Sequence, residues 1–344
     1  MKKKIAIIGG GQMAEKVHVS YYRTRNEVEI VAVVGPNPER TQDFAKRNGI
    51  ARYYTDVEEM FQAEQPDIVS VCTPNKYHYE HVIKALEHGC HVMCEKPPSI
   101  SGQEARHMQD VAKENKLILA YNFHHRFADD VKIMQQNVAE GVLGDIYVVK
   151  AKALRRSGVP GWGNFTNKEA QGGGPLIDLG VHMLDAALYV LGYPKVEKVT
   201  AKMFQKIGTK KSHGSFGEWD PNKYEVEDSL FGFIELEGGC LLQIETSFAL
   251  NIKETSIMNV EFLGDEAGAT LFPAHIYSDQ KGELVTILDR KTADPDRLQK
   301  GMAAFVDKCL GKEVMVADGR EGYLIMQLVE ALYQSAEKGE SITL

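Results

Sequence analysis

Short apolar runs alternate with helical patterns along the first third of the chain. The run KIAIIGG, Lys4–Gly10, precedes a stretch whose apolar residues recur with a helical period, and this alternation repeats. Continuous apolar strands alternating with helices are typical of a parallel sheet covered on both faces. We therefore expect a doubly wound α/β domain over residues 1–122. Its strands are predicted at 4–10, 28–35, 66–74, 90–96 and 117–122, and its helices at 12–24, 37–49, 76–89 and 101–116.

The remaining residues, 123–344, follow a different pattern. Several strand-like runs alternate apolar and polar positions, and EGG at Glu237–Gly239 between two of them indicates a hairpin. The pattern predicts a second, α+β domain built on a large, mostly antiparallel open sheet. Its strands are predicted at 144–156, 195–204, 228–239, 240–250 and 256–272, and its helices at 123–141, 175–192, 296–310 and 319–338.

Composition narrows the class of protein. A length of 344 residues suits two domains, and 43% hydrophobic with 26% charged residues is ordinary for a globular protein. No apolar run approaches the roughly 18 residues of a membrane span. A formal net charge of −8 lacks the basic footprint of a nucleic-acid-binding protein. Five scattered cysteines without a CxxC motif indicate free thiols, so we expect a cytoplasmic protein.

The loop GGGQMA follows the first predicted strand and opens the first helix. Gly9, Gly11 and Ala14 stand in the spacing G-x-G-x-x-A. The first glycine of this spacing permits a tight turn, the second admits a pyrophosphate to the backbone, and the small third residue lets helix and strand pack closely. We predict a dinucleotide site that includes Gln12 and Met13; the alternative is an ordinary glycine turn.

The end of the second strand bears on whether the dinucleotide is NAD or NADP. A carboxylate there would bond both ribose hydroxyls of NAD, but the strand ends in Gly35 and continues as PNPER. Asn37 can hydrogen-bond a ribose or phosphate oxygen, and Arg40 can reach a 2′-phosphate. The pattern favours NADP over NAD, although a solvated helix-face position explains Arg40 nearly as well.

The segment GGGPLIDLGVHMLD places a carboxylate and a histidine one helical turn apart. Asp178 and His182 share a helix face, with Asp185 near the same stripe. The imidazole can take a proton near neutral pH while the carboxylate orients it or bonds the substrate. Gly172–Gly174 would let a ligand approach the backbone. Taken alone, the histidine is better explained as a core residue bonded to a helix neighbour.

The stretch CEKPPS ends the strand at residues 90–96. Its Lys96 stands at the carboxyl end of a sheet strand, where doubly wound sheets bind ligands. An ammonium there can bond a substrate oxygen and favour developing alkoxide charge. Pro97 and Pro98 argue against a flexible surface loop, because each fixes φ and restricts its predecessor. Beyond stiffening the turn, Pro98 has no evident role.

Four motifs together resemble the Gfo/Idh/MocA oxidoreductases, named for glucose–fructose oxidoreductase and inositol dehydrogenase. The motifs are GGGQMA, CTPNKYHYEHV, CEKPPS and GGGPLIDLGVHMLD, and the resemblance covers nearly the whole chain. It implies an N-terminal Rossmann domain for NAD or NADP and a C-terminal domain for substrate binding and oligomerisation. It also implies hydride transfer between the nicotinamide and a secondary hydroxyl of a sugar, sugar derivative or cyclitol.

The resemblance further implies roles for single residues. Lys96 matches the catalytic lysine of the family's E-K-P motif, which bonds the reacting oxygen or tunes its neighbour, and its bond to Pro97 is implied to be cis. Asp178 and His182 match the D-x-x-x-H pair whose histidine abstracts the hydroxyl proton. The resemblance places Glu95 at the cofactor ribose. It places four residues at the cofactor edge, Thr73, Pro74, Asn75 and His78, with helix capping as the alternative role of His78. It places Arg126 and Trp162 near the nicotinamide or the substrate.

Two departures from the family concern the loop and the cofactor. Many members have a bulky aliphatic residue where this chain has Pro98, which leaves the lysine in place. NAD-dependent members usually carry an acid where this chain has Gly35. The glucose–fructose member has a similar pattern at this point and uses NADP, which agrees with the preference for NADP.

Two other functions fit the same motifs. A glycoside hydrolase of this fold would use tightly held nicotinamide for a transient oxidation at C3, without net reduction of added cofactor. A non-catalytic sensor would bind dinucleotide and regulate a partner, but such relatives tend to lose the lysine or the histidine that this chain keeps.

Metal ions and partners complete the expectations. We predict no metal site, because the adjacent His124 and His125 point to different sides of a helix. The resemblance implies a homodimer or homotetramer that uses the open sheet, and a small polyhydroxylated substrate. No nucleic-acid or membrane partner is expected.

Overall fold

The computed structural model of the chain describes residues 2–291 and 294–344. These residues form two compact units, one of Met1–Phe123 with Leu298–Met326 and one of His124–Arg297 with Gln327–Leu344. The first boundary lies one residue from the predicted one. Each unit is built on its own sheet.

The sheet of the first unit has six parallel strands in the order β3-β2-β1-β4-β5-β6. The predicted doubly wound domain is confirmed. The strands are β1 Lys3–Ile8, β2 Val28–Val34, β3 Arg52–Tyr54, β4 Ile68–Val71, β5 His91–Cys94 and β6 Leu119–Tyr121, and the helices between them are α1 Ser20–Tyr22, α2 Pro38–Arg47, α3 Val57–Glu64, α4 His78–Glu87 and α5 Gly102–Glu114.

Two elements of this unit were missing from the predicted pattern. The edge strand β3 is only three residues long and mostly exposed, so it carries no apolar run. The helix α3 begins at Asp56, whose side chain accepts a hydrogen bond from the Glu59 amide at 2.9 Å. Such an aspartate before a short helix is the sequence signal that would have located α3.

The sheet of the second unit has nine strands in the order β16-β15-β14-β13-β7-β12-β11-β8-β17. Only the β7–β12 pair is parallel among these neighbours, and the hairpin predicted at Glu237–Gly239 joins β11 to β12. The mostly antiparallel sheet is confirmed. Its strands are β7 Ile146–Arg155, β8 Val196–Phe204, β11 Ser229–Leu236, β12 Leu241–Ser247, β13 Ser256–Gly264, β14 Gly268–Thr270, β15 His275–Gln280, β16 Glu283–Asp289 and β17 Ile342–Thr343, and a separate small pair is β9 His213–Gly214 with β10 Gly217–Glu218.

The helix predicted over residues 123–141 is divided in the structure. A 3₁₀ turn covers His124–Phe127 and α6 covers Asp129–Ala139, because Ala128 between them is extended. The predicted helix at 175–192 likewise has two parts, a π-helical turn at Leu176–Gly180 and α8 at Val181–Val190. The remaining helices are α7 Lys168–Gln171, α9 Arg297–Cys309 and α10 Gly319–Lys338.

The segment Leu298–Met326 differs from the prediction that residues 123–344 form one domain. Its buried Met302, Phe305 and Val306 pack in one core cluster with Ile5 of β1 and Val28 of β2. This apolar burial ties most of α9 to the first unit. The second boundary falls inside α10, between Met326 and Gln327.

Two further expectations concern the cysteines and the membrane. All five cysteines are free thiols, as predicted. Across the described residues, no helix combines the length and apolar character that a membrane span requires.

Candidate functional site

The glycine loop of the first unit has the shape that a dinucleotide needs. Gly9 adopts φ +99°, and a Cβ at Gly9 would lie 2.7 Å from the carbonyl oxygen of Cys72, so only glycine fits. Among the described residues, nothing lies within 4 Å of a Cβ built on Gly11. Gln12 and Met13 are exposed, and Ala14 is buried where the helix begins. The backbone at Gly11 is therefore open to a pyrophosphate, so the loop fits the cofactor.

A π-helical turn follows this loop directly. It spans Ala14–Val19 and continues as α1. Single π-turns are frequent at functional sites. The chain has another at Leu176–Gly180, where Asp178 lies. Both π-turns therefore coincide with segments singled out by their sequence.

At the end of β2, Gly35 is packed against the helix that follows. A Cβ there would lie 2.7 Å from the Thr41 hydroxyl oxygen, and that hydroxyl donates to the Gly35 carbonyl at 3.1 Å. Asn37 caps α2, because its Oδ1 accepts from the Arg40 amide at 2.9 Å. The side chains of Asn37 and Arg40 are exposed at the start of α2. Close packing explains the missing carboxylate at this strand end.

The segments after β4 and β5 are joined by one buried histidine. His78, the first residue of α4, is 1% exposed. Its Nδ1 lies 2.7 Å from the Pro97 carbonyl oxygen and its Nε2 lies 2.8 Å from the Thr73 carbonyl oxygen. Burial lowers the pKa of His78, although both carbonyls act in the opposite direction. His78 thus holds Thr73 and the Lys96–Pro97 segment together; its contact with cofactor stays a prediction.

The side chains around these segments vary in exposure. Pro74 is exposed, Thr73 and Asn75 are half-buried, and Asn75 begins a 3₁₀ turn at Asn75–Tyr77. Lys96 is half-buried, and the Lys96–Pro97 bond is cis, as the resemblance implied. Pro98 is buried, which agrees with a stiff turn.

Glu95 lies in a buried polar network beside Lys96. Its Oε1 accepts from His18 Nε2 at 2.9 Å and from the Asn122 amide at 2.8 Å, and His18 Nδ1 lies 3.0 Å from the Ser70 hydroxyl. Burial alone would raise the pKa of Glu95. The hydrogen bond and charge of His18, the Asn122 bond and the Lys96 charge outweigh burial and lower that pKa to about 2. Glu95 is therefore an anion held next to Lys96, whereas its ribose contact stays a prediction.

In the second unit, Asp178 and His182 lie on the two parts of one helical segment. Asp178 is half-buried in the π-helical turn, and His182 is 6% exposed in the first turn of α8. Asp178 also interacts electrostatically with Arg155, at the end of β7. Burial lowers the pKa of the Arg155 guanidinium, and the negative charge of Asp178 opposes this shift. Arg155 is thus a cation close to Asp178 that the sequence reasoning missed.

The start of this segment is held by Glu227, another residue that the sequence reasoning missed. Its carboxylate accepts from the amides of Gly174 and Leu176 at 2.9 and 3.2 Å and from the Tyr333 hydroxyl at 2.8 Å. A Cβ on Gly173 would collide with Tyr333, and one on Gly174 with Glu227. Gly173 and Gly174 therefore make room for protein atoms, and the approach of a ligand to Gly172–Gly174 stays a prediction.

Three histidine side chains of the second unit lie together. The ring centroid of His182 is 4.7 Å from that of His124 and 4.8 Å from that of His125, and the latter two are 4.4 Å apart. The expectation that His124 and His125 point to different sides is wrong. They belong to a short 3₁₀ turn, and both rings pack against His182.

Arg126 and Trp162, both predicted near the nicotinamide or the substrate, occupy different environments. Arg126 is 1% exposed and pairs with the buried Asp185, whereas Trp162 is 55% exposed and packs edge-on against Phe165 and Phe216. Arg126 therefore has a structural position, and Trp162 is an accessible aromatic surface. Contact of either residue with substrate stays a prediction.

These features define an oxidoreductase with a dinucleotide-binding Rossmann unit. A family model described as "Oxidoreductase family, NAD-binding Rossmann fold" matches residues 3–123, and a second, described as "Oxidoreductase family, C-terminal alpha/beta domain", matches residues 135–344. The chain belongs to the Gfo/Idh/MocA oxidoreductase family and binds a nicotinamide cofactor.

Individual relatives agree with this assignment. The chain is 59% identical over 341 residues to D-glucoside 3-dehydrogenase of Escherichia coli (strain K12), covering 99% of this chain and 97% of that protein. It is 27% identical to 1,5-anhydro-D-fructose reductase of Ensifer adhaerens, covering 97% of this chain and 96% of that protein.

Solved structures share the fold. Aldose-aldose oxidoreductase from Caulobacter crescentus matches with a TM-score of 0.81 at 23% identity, covering all of both chains. Levoglucosan dehydrogenase in complex with NADH and levoglucosan matches with a TM-score of 0.84 at 20% identity, covering 100% of this chain and 99% of that chain. At these identities the likeness concerns the fold alone.

Proposed function

We propose that the protein is an NAD(P)-dependent dehydrogenase that oxidises the C3 hydroxyl of D-glucosides. The observation that carries this proposal is the 59% identity to a D-glucoside 3-dehydrogenase over nearly the whole of both chains. The buried His182 with Asp178 on the same helical segment supplies a base for a hydroxyl proton. The open backbone at Gly11 admits the cofactor.

The bound nicotinamide would accept the hydride from C3. His182 takes the hydroxyl proton, so that the C3 carbon becomes a carbonyl, and Asp178 orients the imidazole or binds a neighbouring hydroxyl. Lys96 donates a hydrogen bond to the reacting oxygen and stabilises the charge that develops on it. In this assignment Glu95 and His78 are positioning residues for the Lys96 segment.

Product analysis with a glucoside tests the reaction. The protein is mixed with methyl β-D-glucoside and NAD⁺ or NADP⁺, cofactor reduction is followed by absorbance, and the product is identified by NMR. We expect a 3-keto glucoside, and no reaction with the matched 3-deoxy glucoside. Cleavage of the glycoside without net cofactor reduction would indicate the hydrolase instead, and tight cofactor binding without turnover of a sugar panel would indicate a sensor.

Variants test the assigned residues. Lys96→Met and His182→Asn should each lower kcat by about 10²–10⁴-fold while cofactor binding persists. Lys2→Met, at an exposed position on the chain terminus, is the control for a lost ammonium group. Normal turnover in both site variants would refute these roles.

We also propose that the protein accepts NADP, with Arg40 binding the 2′-phosphate, and accepts NAD without this contact. The support is the exposed Arg40 on the first turn of α2 and the close packing of Gly35, which leaves no carboxylate there to repel the phosphate. Arg40→Ala should raise KM for NADP⁺ about tenfold or more and leave KM for NAD⁺ unchanged. Equal KM changes for both cofactors would argue against this role.

A homodimer or homotetramer is proposed through the outer face of the nine-stranded sheet. Phe233 of β11 and Phe204 of β8 are 50% and 42% exposed, and Phe233 lies between the buried Gly232 and Ile234. An exposed aromatic face of this kind fits a second copy of the chain. Light scattering after size exclusion should show an oligomer that Phe233→Glu dissociates, whereas a monomeric wild type would contradict the proposal.

A further inference from the structure

The three-histidine cluster brings together nitrogen atoms from two separate parts of the second unit. His124 and His125 come from the 3₁₀ turn after β6, and His182 comes from α8, more than fifty residues later in the sequence. One ring nitrogen from each lies within 4.8 Å of the others. His125 and His182 are 8% and 6% exposed, and His124 is half-buried.

This donor set suits a transition metal. Three imidazole nitrogens form a catalytic-type zinc site, with Zn–N distances of about 2.0–2.1 Å and a fourth position left open. Such distances place the nitrogens of a tetrahedral site about 3.3 Å apart. The three nitrogens lie within 4.8 Å of one another, so ring movements would have to close any excess over this spacing. Imidazole ligands favour Zn²⁺ and similar ions over Mg²⁺ and Ca²⁺.

A buried ion pair holds the two parts of the cluster in place. Arg126, which follows His125, donates to Asp185, which lies three residues after His182. Tyr193 also donates to Asp185 at 2.9 Å and accepts from Arg126. The turn and the helix are thus fastened next to the histidines, so the cluster is preorganised by its surroundings.

We propose that His124, His125 and His182 form a binding site for a divalent transition-metal ion of the zinc class, and that bound zinc inhibits the dehydrogenase. The inhibitory part rests on the proposed function, in which His182 takes a proton. A metal ion bound to the same nitrogen occupies the lone pair that this proton transfer needs. The ligand set is formed within the second unit by this chain's own residues.

Direct binding tests the site independently of activity. Zinc is titrated calorimetrically into the full-length, tag-free, chelator-treated protein, and Co²⁺ is titrated in parallel with visible absorption as the readout. We expect one ion per chain and the cobalt bands of a nitrogen-ligated, four- or five-coordinate site. Absence of binding, or a thiolate-to-cobalt charge-transfer band that assigns the ion to a cysteine, would overturn the proposal.

Matched variants locate the ion. His124→Gln and His125→Gln should each weaken zinc binding by at least about tenfold. His107→Gln, which removes an exposed histidine that bonds the Tyr79 hydroxyl, should bind zinc like the wild type. The melting temperature of each metal-free variant reports whether it is folded, and His124→Gln, at the half-buried position, is the milder change. Wild-type affinity in both cluster variants would overturn the site.

Inhibition is measured separately, with methyl β-D-glucoside as the substrate. Zinc should inhibit the wild type with a constant equal to its binding constant, and His124→Gln should require at least about tenfold more zinc. Zinc binding without inhibition would overturn the inhibitory part. If no sugar is oxidised, the proposed function fails, while the calorimetric result still decides whether the metal site exists.

Discussion

The guanidinium of Arg126 and the carboxylate of Asp185 form a completely buried ion pair with two hydrogen bonds. The guanidinium also lies 4.7 Å from the centre of the Tyr189 ring. Burial raises the pKa of Asp185, and the charge and hydrogen bonds of Arg126 oppose this rise. The pair therefore depends on both partners, and it fixes the turn that carries His124 and His125 relative to the helix that carries His182.

Removing one partner of this pair should be strongly destabilising. Arg126→Met leaves the Asp185 carboxylate buried without its cation, and we expect a loss of about 3–5 kcal/mol in the free energy of unfolding. Adding Asp185→Leu should recover part of that loss, because no buried charge remains. Urea unfolding measures both variants.

The control is the surface pair Lys198–Glu235, whose side chains are 41% and 50% exposed. Lys198→Met should change stability by less than about 1 kcal/mol. A similarly small effect of Arg126→Met would show that the buried pair contributes little.

The Glu95 network predicts how stability responds to acid. The folded-state pKa of Glu95 is about 2, below its reference value of 4.5. Its carboxylate thus stabilises the fold above pH 4.5, and this contribution is lost as the pH falls towards 2. Cofactor-free wild-type protein should lose about 3 kcal/mol more across this window than Glu95→Gln, whose amide does not titrate.

Urea unfolding at a series of pH values measures the difference. Lys113→Gln, which alters an exposed charge outside the network, is the control for general charge effects. Parallel pH curves for the wild type and Glu95→Gln would contradict the assigned network.

Substitutions of Gly9 and Gly11 in the cofactor loop should have different effects, one on stability and the other on cofactor affinity. Gly9→Ala places a Cβ 2.7 Å from a backbone oxygen at a residue with φ +99°, so the melting temperature should fall. Gly11→Ala adds its methyl group to open space, so the fold should be retained. That methyl group blocks the approach of the pyrophosphate, and the Kd for cofactor should rise by about tenfold or more.

Thermal unfolding and fluorescence titration with reduced cofactor measure the two effects. Unchanged affinity in a folded Gly11→Ala protein would show that the pyrophosphate does not approach at this residue. An unchanged melting temperature in Gly9→Ala would contradict the steric argument.

Glu227 should be required for the integrity of the segment that carries Asp178. Glu227→Ala removes the acceptor for the amides of Gly174 and Leu176 and for the Tyr333 hydroxyl, and buried donors without acceptors cost about 1–3 kcal/mol each. Tyr333→Phe removes one donor and leaves the carboxylate bonded to both amides, so it should cost about 1 kcal/mol. Chemical unfolding ranks the two variants, and an equal or reversed ranking would contradict the capping role.

Much of the fold and the shape of the cofactor loop could be predicted from local pattern. The apolar runs around Ile5 and Val69 identify parallel strands, and the spacing of Gly9, Gly11 and Ala14 identifies the loop between the first strand and its helix. The edge strand β3 escaped prediction because its pattern is mostly exposed and its length is three residues. Short, solvated strands leave almost no periodic signal.

The environment of the site residues could not be predicted from local pattern. His18 is 77 residues from Glu95, Gly174 is 53 residues from Glu227, and Arg126 is 59 residues from Asp185. Nothing in the sequence near one partner indicates the other. Gly173 and Gly174 show the same limit, since the sequence indicates a need for space but not that atoms of Tyr333 and Glu227 occupy it.

The sequence by itself determined the two kinds of sheet and the cofactor loop, and it proposed candidate catalytic residues, because these follow from periodicity and from short motifs with a local mechanism. Only the tertiary structure decided that Glu95 is bonded to His18, that Arg126 is paired with Asp185, and that three histidines lie together. The physical reason is that a buried charge or imidazole must find its partner through the packing of distant segments, which local pattern does not encode.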